Sequence, residues 1–145
     1  MTTRNVEDYL EAIWNLEKKK GYIKVKDIAK RLDVSRPSVS EMIKKLAEND
    51  YIVYEKYGGI VFTGKGKKLA QEIKRRHSLF VEFLKIIGVS EENAQKDACK
   101  LEHDVSHETI SCLLEFVEFI NLLPESSKWK EHFQEYLKKE KFYKQ

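Results

Sequence analysis

Three side chains with the chemistry of metal ligands stand close together in the segment DACKLEHDVSH. Cys99, Glu102 and His103 are separated by spacings of three and four residues, so they share one face if the segment is helical. A thiol, a carboxylate and an imidazole on one face suit a divalent transition-metal ion. A polar helix face with one buried cysteine would show the same spacing, so the segment by itself leaves both interpretations open.

The composition is that of a small folded protein. With 145 residues, the chain is long enough for one domain or for two small domains that share a core. No apolar run reaches the ~20 residues of a membrane span, and no apolar targeting segment opens the chain. We therefore expect a cytoplasmic protein without a membrane partner. In a reducing cytosol its two cysteines should stay unpaired, Cys99 as a ligand and Cys112 as a core residue.

Charge is distributed unevenly along the chain. The formal net charge is only +3, but residues 18–76 include 17 basic and 7 acidic side chains. The remainder includes 10 basic and 17 acidic side chains. The basic segment suits a polyanion such as nucleic acid, although an ordinary solvated surface would show the same excess.

Helical spacing of apolar residues predicts the first elements of the chain. A first helix is expected over residues 6–19, with Asp8 and Glu11 together on the side away from its apolar stripe. A second helix is expected over residues 25–32, and a third follows at once in SRPSVSEMIKKL. Two short helices joined by a tight turn are typical of a helix-turn-helix, whose second helix enters the DNA groove.

The third helix shows the clearest local signals. Ser35 suits its N-cap, because a hydroxyl oxygen accepts from the free amides of the first turn. Pro37 suits that first turn, where no amide donor is needed. Val39, Ile43 and Leu46 form the expected buried stripe.

A hairpin is predicted directly after this helix. Residues 51–56 and 60–63 are rich in β-branched and aromatic side chains, and they flank Gly58-Gly59, a turn signal. A hairpin after a recognition helix is the wing of a winged helix, although other small α+β domains also carry surface hairpins. The order of the three elements inside the basic segment favours DNA binding. The expected contacts are Ser35, Arg36, Pro37, Ser38, Ser40, Lys44, Lys56 and Tyr57.

In the remainder of the chain, the spacing of apolar residues predicts only helices. They are expected over residues 65–87, with His77 in the middle, over 91–102, which include the opening cluster, and over 106–121. The last of these is too apolar for a free surface helix, so it should pack against its own domain and a partner subunit. A final amphipathic helix is expected after Pro124, with residues 138–145 as a frayed tail.

Five ordered blocks resemble the diphtheria toxin repressor family of metal-dependent transcriptional regulators. They are VEDYLEAIWNLE, VKDIAKRLDVSRPSVSEMIKKL, YGGIVFTGKGKKLA, RRHSLFVEFL and DACKLEHDVS. The short chain and Asp8 are similar to the manganese transport regulator branch, which lacks the C-terminal SH3-like domain of the longer members. Cys99 is instead similar to the iron-responsive branch, because the manganese branch usually has glutamate at this position.

The resemblance implies a mainly α fold. A winged helix-turn-helix DNA-binding domain is expected over residues 1–72, followed by an α-helical metal-binding and dimerisation domain over residues 73–145. The implied function is a metal-dependent transcriptional repressor, not an enzyme. It would bind operator DNA as a homodimer when loaded with Fe(II) or Mn(II) and control metal-uptake genes. Other divalent transition metals should bind in vitro, and we favour iron in the cell because DACKLEH copies the iron-responsive pattern.

The resemblance also implies the metal ligands. One tight ion per subunit is expected at Asp8, Cys99, Glu102 and His103. A second, weaker ion is expected near Glu11 and His77, because a thiolate is a poorer bridge between hard ions than a carboxylate. The ancillary site of the iron-responsive branch should be missing, since Val81 and Gln95 stand at two of its ligand positions.

Two other functions are compatible with the same residues. A winged-helix regulator could sense redox state or a small molecule through Cys99, and a metalloenzyme would use ligands of the same types. An enzyme would need an open coordination position in a substrate pocket, which no feature of the sequence indicates. DNA binding that metal stimulates under strictly reducing conditions would separate these functions from a metal-dependent repressor.

Overall fold

The chain folds into helices and one small hairpin. The computed structural model describes residues 3–55, 59–125 and 127–143. Two compact units, Met1–Lys74 and Arg75–Gln145, divide within the fourth helix. The elements are α1 (Arg4–Lys20), α2 (Val25–Leu32), α3 (Arg36–Glu48), β1 (Ile52–Glu55), β2 (Gly59–Phe62), α4 (Gly64–Ile86), α5 (Glu91–Asp104), α6 (His107–Leu122) and α7 (Trp129–Tyr143). The predicted mainly α fold class is confirmed. In the part of the chain that the structure describes, no helix has the length and apolar character needed to span a membrane.

The first helix, α1, extends beyond the predicted residues 6–19 at both ends. Thr3 precedes it, and Thr3 Oγ1 accepts a hydrogen bond from Val6 N–H at 3.5 Å. Gly21 ends it with a φ of 67°, a left-handed conformation that costs glycine little. Leu10 and Ile13, in the apolar stripe, are fully buried in the core of the first unit.

The second and third helices form the predicted helix-turn-helix. Asp33 ends α2 with a left-handed φ of 53°, which reverses the chain within a few residues. Ser35 caps α3 as predicted, since its Oγ accepts a hydrogen bond from Ser38 N–H at 3.3 Å. The predicted inward stripe of α3 is confirmed, because its three residues are buried: Val39, Ile43 and Leu46.

The hairpin follows α3 as predicted. β1 and β2 pair antiparallel, with Ile52 opposite Phe62. Ile52 and Ile60 are buried in the core of the first unit, so this core holds the base of the hairpin. Lys56 and Tyr57 lie outside the described residues, and their DNA contacts stay predictions.

Asp27 connects the end of α1 to the start of α2. Its carboxylate accepts from Lys20 Nζ at 2.8 Å and from Lys24 N–H at 3.0 Å. These contacts, the one with Lys20 above all, hold the pKa of Asp27 below its usual value. A lowered pKa stabilises the fold above the unfolded-state value of about 4, and this contribution is lost as the pH falls through the folded-state value.

Asp27→Asn is therefore expected to lower the free energy of unfolding near neutral pH by on the order of 1 kcal/mol, because an ion pair and part of a helix cap are lost. At about pH 3 the difference from wild type should shrink. Urea unfolding at both pH values measures the two differences. Glu41→Gln, on the exposed surface of α3, is the control and should show no such pH dependence. A loss from Asp27→Asn of equal size at both pH values would contradict the prediction.

The second unit packs the end of α4 against α5 and α6. Its core includes Phe80, Val81, Leu84, Ala94, Ala98 and Ile110. α5 and α6 each begin after a serine N-cap, Ser90 and Ser106, whose hydroxyl oxygens accept from backbone amides three residues later. These caps determine where α5 and α6 begin.

Two predictions for the second unit are wrong. α7 continues to Tyr143, so most of the expected frayed tail is helical. The physical reason is that this segment contains strong helix formers and neither glycine nor proline. Cys112 is exposed and does not lie in the core. It follows the buried Ile110 by two residues, which places it about 200° around α6.

Candidate metal centre and DNA-binding surface

A histidine of α4 meets two side chains of α5 inside the second unit. His77 Nδ1 lies 3.4 Å from Glu102 Oε1 and 3.8 Å from Cys99 Sγ. One potential ligand atom from each of the three residues lies within 4.8 Å of the other two. A nitrogen, a sulfur and a carboxylate oxygen this close together suit a divalent first-row transition metal.

The Glu102 carboxylate is buried, and its charge needs compensation. The side chain has 0% of its surface exposed. Arg76 Nε lies 3.9 Å from Glu102 Oε2, and His103 Nε2 lies 3.8 Å from Glu102 Oε1. Glu102 Oε2 accepts no hydrogen bond from any described residue. A buried carboxylate oxygen without a hydrogen bond is costly, so this oxygen fits the binding of a cation.

The second interpretation of the α5 cluster, a polar face with one buried cysteine, does not describe this helix. The buried member of the cluster is Glu102, whereas Cys99 reaches the surface. His77 joins the two residues from a position 22 residues before Cys99. The cluster therefore combines groups from two helices, as a binding site does.

Asp8 and Glu11 lie in the first unit. Both are half-buried on α1, and they line a cavity of about 310 Å³ together with Arg31 of α2. They share one side of α1, as their spacing predicted. Their part in metal binding stays a prediction.

Two residues of the cluster were not predicted from the sequence. Arg76, the residue before His77, forms the ion pair with Glu102. Gln95, known from the sequence only as a missing ligand, has its Oε1 3.2 Å from His77 Nε2. The sequence does place Gln95 near the site, because Gln95 precedes Cys99 by four residues and residues at that spacing share a helix face.

The predicted DNA contacts on α3 are all exposed. They are Ser35, Arg36, Pro37, Ser38, Ser40 and Lys44. The hydroxyls of Ser35 and Ser38 lie 2.7 Å apart and hydrogen-bond to each other at the helix start. Arg36 also lines a cavity of about 440 Å³ with Lys24 and Lys26. An exposed helix start with basic neighbours suits contacts with phosphates and base edges.

Both parts of the chain match domains of one protein family. Residues 1–60 match the family described as "Iron dependent repressor, N-terminal DNA binding domain". Residues 63–130 match "Iron dependent repressor, metal binding and dimerisation domain". The HTH-type transcriptional regulator MntR of Geobacillus kaustophilus is 44% identical over 119 residues, which cover 82% of this chain and 84% of that protein.

Two solved structures of regulators are similar to this chain. The metal-dependent transcriptional regulator MtsR shares 35% identity with a TM-score of 0.71, over 81% of this chain and 55% of that one. The manganese regulator SloR shares 36% identity with a TM-score of 0.65, over 82% of this chain and 55% of that one. This chain therefore spans about half the length of those two proteins.

Proposed function

This chain belongs to the iron-dependent repressor family, and from that premise we propose that it represses metal-uptake genes as a homodimer loaded with Fe(II) or Mn(II). Proteins of this family are metal-dependent transcriptional regulators and not enzymes. The observation that carries the proposal is the convergence of His77, Cys99 and Glu102 beside a buried carboxylate oxygen that accepts no hydrogen bond from the described residues. A repressor acts where its DNA is, so the cytoplasm is the expected compartment.

The proposed metal ligands form two overlapping sets. The tight ion is assigned to Asp8, Cys99, Glu102 and His103. The weaker ion is assigned to Glu11 and His77, with Cys99 and Glu102 shared. The contacts of His77 with both shared residues support this assignment. The ion, when bound, supplies the positive charge that the buried carboxylate and the thiolate require.

The types of ligand atom in the site influence which metal it binds. A thiolate is softer than a carboxylate, so Cys99 favours Fe(II), Co(II) and Zn(II) relative to Mn(II), which prefers oxygen ligands. The similarity to the manganese regulator SloR supports Mn(II), whereas the family description names iron. We favour Fe(II) as the signal in the cell because of Cys99. Promoter occupancy that follows manganese and ignores iron would contradict this choice.

Metal and DNA binding are coupled in this proposal through the dimer. Residues 1–72 bind DNA, and residues 73–145 bind metal and a second copy of the chain. The dimer is supported by exposed apolar side chains on α6, since Phe119 and Leu122 are 57% and 84% exposed. Recognition helices about 34–36 Å apart fit successive turns of the major groove. A metal that favours this spacing tightens DNA binding, and DNA tightens metal binding by the same factor.

A DNA-binding assay tests the proposed function. Protein stripped of metal should bind promoter DNA weakly, and Fe(II) or Mn(II) under strictly reducing conditions should tighten binding by about 5- to 150-fold. Mg(II) is the control, because this hard ion is poorly suited to a site with sulfur. Binding should also weaken steeply with salt, because neutralised phosphates release counterions. Stimulation that needs an oxidant, or binding insensitive to salt, would contradict the proposal.

A further inference from the structure

A series of side-chain contacts connects the surface of the second unit to the imidazole of His77. Lys85 of α4 forms an ion pair with Glu91 at the start of α5. Glu91 Oε1 accepts a hydrogen bond from Gln95 Nε2 at 3.0 Å. Gln95 Oε1 in turn lies 3.2 Å from His77 Nε2. The series ends at a candidate metal ligand.

The charge of Glu91 determines the orientation of the Gln95 amide. Lys85 and then Gln95 hold the pKa of Glu91 below its usual value, so Glu91 is ionised at neutral pH. An ionised carboxylate only accepts hydrogen bonds. The NH₂ group of Gln95 must therefore face Glu91, and the carbonyl oxygen must face His77. This oxygen can only accept a hydrogen bond as well.

The orientation of Gln95 then determines which nitrogen of His77 carries the proton. An acceptor opposite Nε2 requires a proton on Nε2, and a neutral imidazole then has its lone pair on Nδ1. Nδ1 is the atom that lies 3.4 Å from Glu102 Oε1 and 3.8 Å from Cys99 Sγ. Glu102 Oε1 also faces Nδ1 and can accept from it only while that nitrogen carries a proton. Because Gln95 Oε1 keeps a proton on Nε2, Nδ1 is the nitrogen that can exchange its proton for a metal, beside the thiol and the carboxylate.

We propose that Gln95 is a positioning residue of the metal centre, which holds His77 in the tautomer protonated at Nε2 and leaves Nδ1 for the metal. The oxygen and the nitrogen of the Gln95 amide contact His77 and Glu91, so Gln95 acts through His77 and is not itself a ligand. An acceptor behind a ligating histidine fixes the ring orientation and raises the basicity of the ligand atom. Losing such a partner costs about 10- to 100-fold in metal affinity.

Two variants of Gln95 test the tautomer directly. Gln95→Leu removes the acceptor oxygen. Gln95→Glu combined with Glu91→Gln keeps an acceptor for His77 and lets the amide at position 91 donate to position 95, which replaces the native hydrogen bond. In metal-free protein with nitrogen-15 in its histidines, the ring nitrogen shifts and their couplings to ring protons report the tautomer, and His77→Ala identifies the signals of His77. Wild type and the Gln95→Glu/Glu91→Gln variant should carry a proton on Nε2, whereas in Gln95→Leu the proton should shift to Nδ1, which faces the acceptor oxygen of Glu102. A wild-type ring protonated at Nδ1 alone, or a wild-type spectrum for Gln95→Leu, would overturn the proposal.

A Co(II) titration, followed by thiolate-to-metal charge transfer, gives a second readout that rests on the proposed function. Gln95→Leu should weaken binding of the ion that contacts His77 by about 10- to 100-fold. It should have no further effect in a His77→Ala background, because Gln95 acts only through His77. Gln134→Leu, the same substitution on the exposed surface of α7, should bind like wild type.

The two measurements distinguish a failure of the role proposed for Gln95 from a failure of the proposed metal site. Equal effects of Gln95→Leu with and without His77 would overturn the role of Gln95 while leaving the proposed function intact. If the wild-type protein binds no Co(II), the proposed metal site fails. The tautomer measured in metal-free protein then still decides whether Gln95 positions His77.

Discussion

Cys99→Ala is expected to abolish metal-stimulated operator binding, while His77→Ala should only shift the stimulation to higher metal concentration. Cys99 and Glu102 lie together with His77, and in the proposed assignment they serve both ions. Loss of the thiolate therefore removes a donor from both ions, whereas loss of His77 weakens only the second one. Alanine is a strong helix former, so α5 should remain folded in the Cys99 variant.

The matched control for this comparison is Cys112→Ala. It removes the other thiol, which is exposed on α6, and should keep the wild-type response to metal. Anisotropy of labelled promoter DNA across a metal concentration series measures all three variants. Equal losses from the Cys99 and His77 variants, or a titration that shows two equally tight ions, would contradict the proposed ranking of the two ions.

Gly66→Ala is expected to lower the free energy of unfolding of the first unit by about 3 kcal/mol, the upper end of the usual overpacking cost. A Cβ atom at Gly66 would lie 1.8 Å from the carbonyl oxygen of Tyr51. That oxygen already accepts from Thr63 N–H at 3.1 Å, and Gly66 N–H donates to Thr63 Oγ1 at 3.0 Å. Because the clash involves backbone, relieving it would move the start of α4 away from the residue that precedes β1.

Gly64→Ala is the control for the Gly66 substitution. A Cβ atom at Gly64 would meet nothing within 4 Å, so the stability should change by less than about 1 kcal/mol. Urea unfolding followed by the fluorescence of Trp14, in a Trp129→Phe background, reports on the first unit alone. Wild-type stability of the Gly66 variant would show that the contact between the start of α4 and Tyr51 is not required.

The sequence by itself determined the order and the approximate bounds of the helices. α2 begins and ends where its apolar spacing predicted, and α3 begins directly after the predicted cap at Ser35. These features follow from the sequence because caps and helical periods depend on residues within about four positions of one another. The spacing of Cys99, Glu102 and His103 is a local feature of the same kind.

Only the tertiary structure decided which residues surround that cluster. His77 lies 22 residues before Cys99, and its contact with Cys99 depends on how α4 packs against α5. The role of Gln95 follows from the same packing. The exposure of Cys112 was also beyond the sequence, because α6 has apolar residues on more than one face, including the exposed Phe119. Burial stabilises any apolar side chain without regard to direction, so the packing partner, and not the helix's own pattern, selects which face becomes the core.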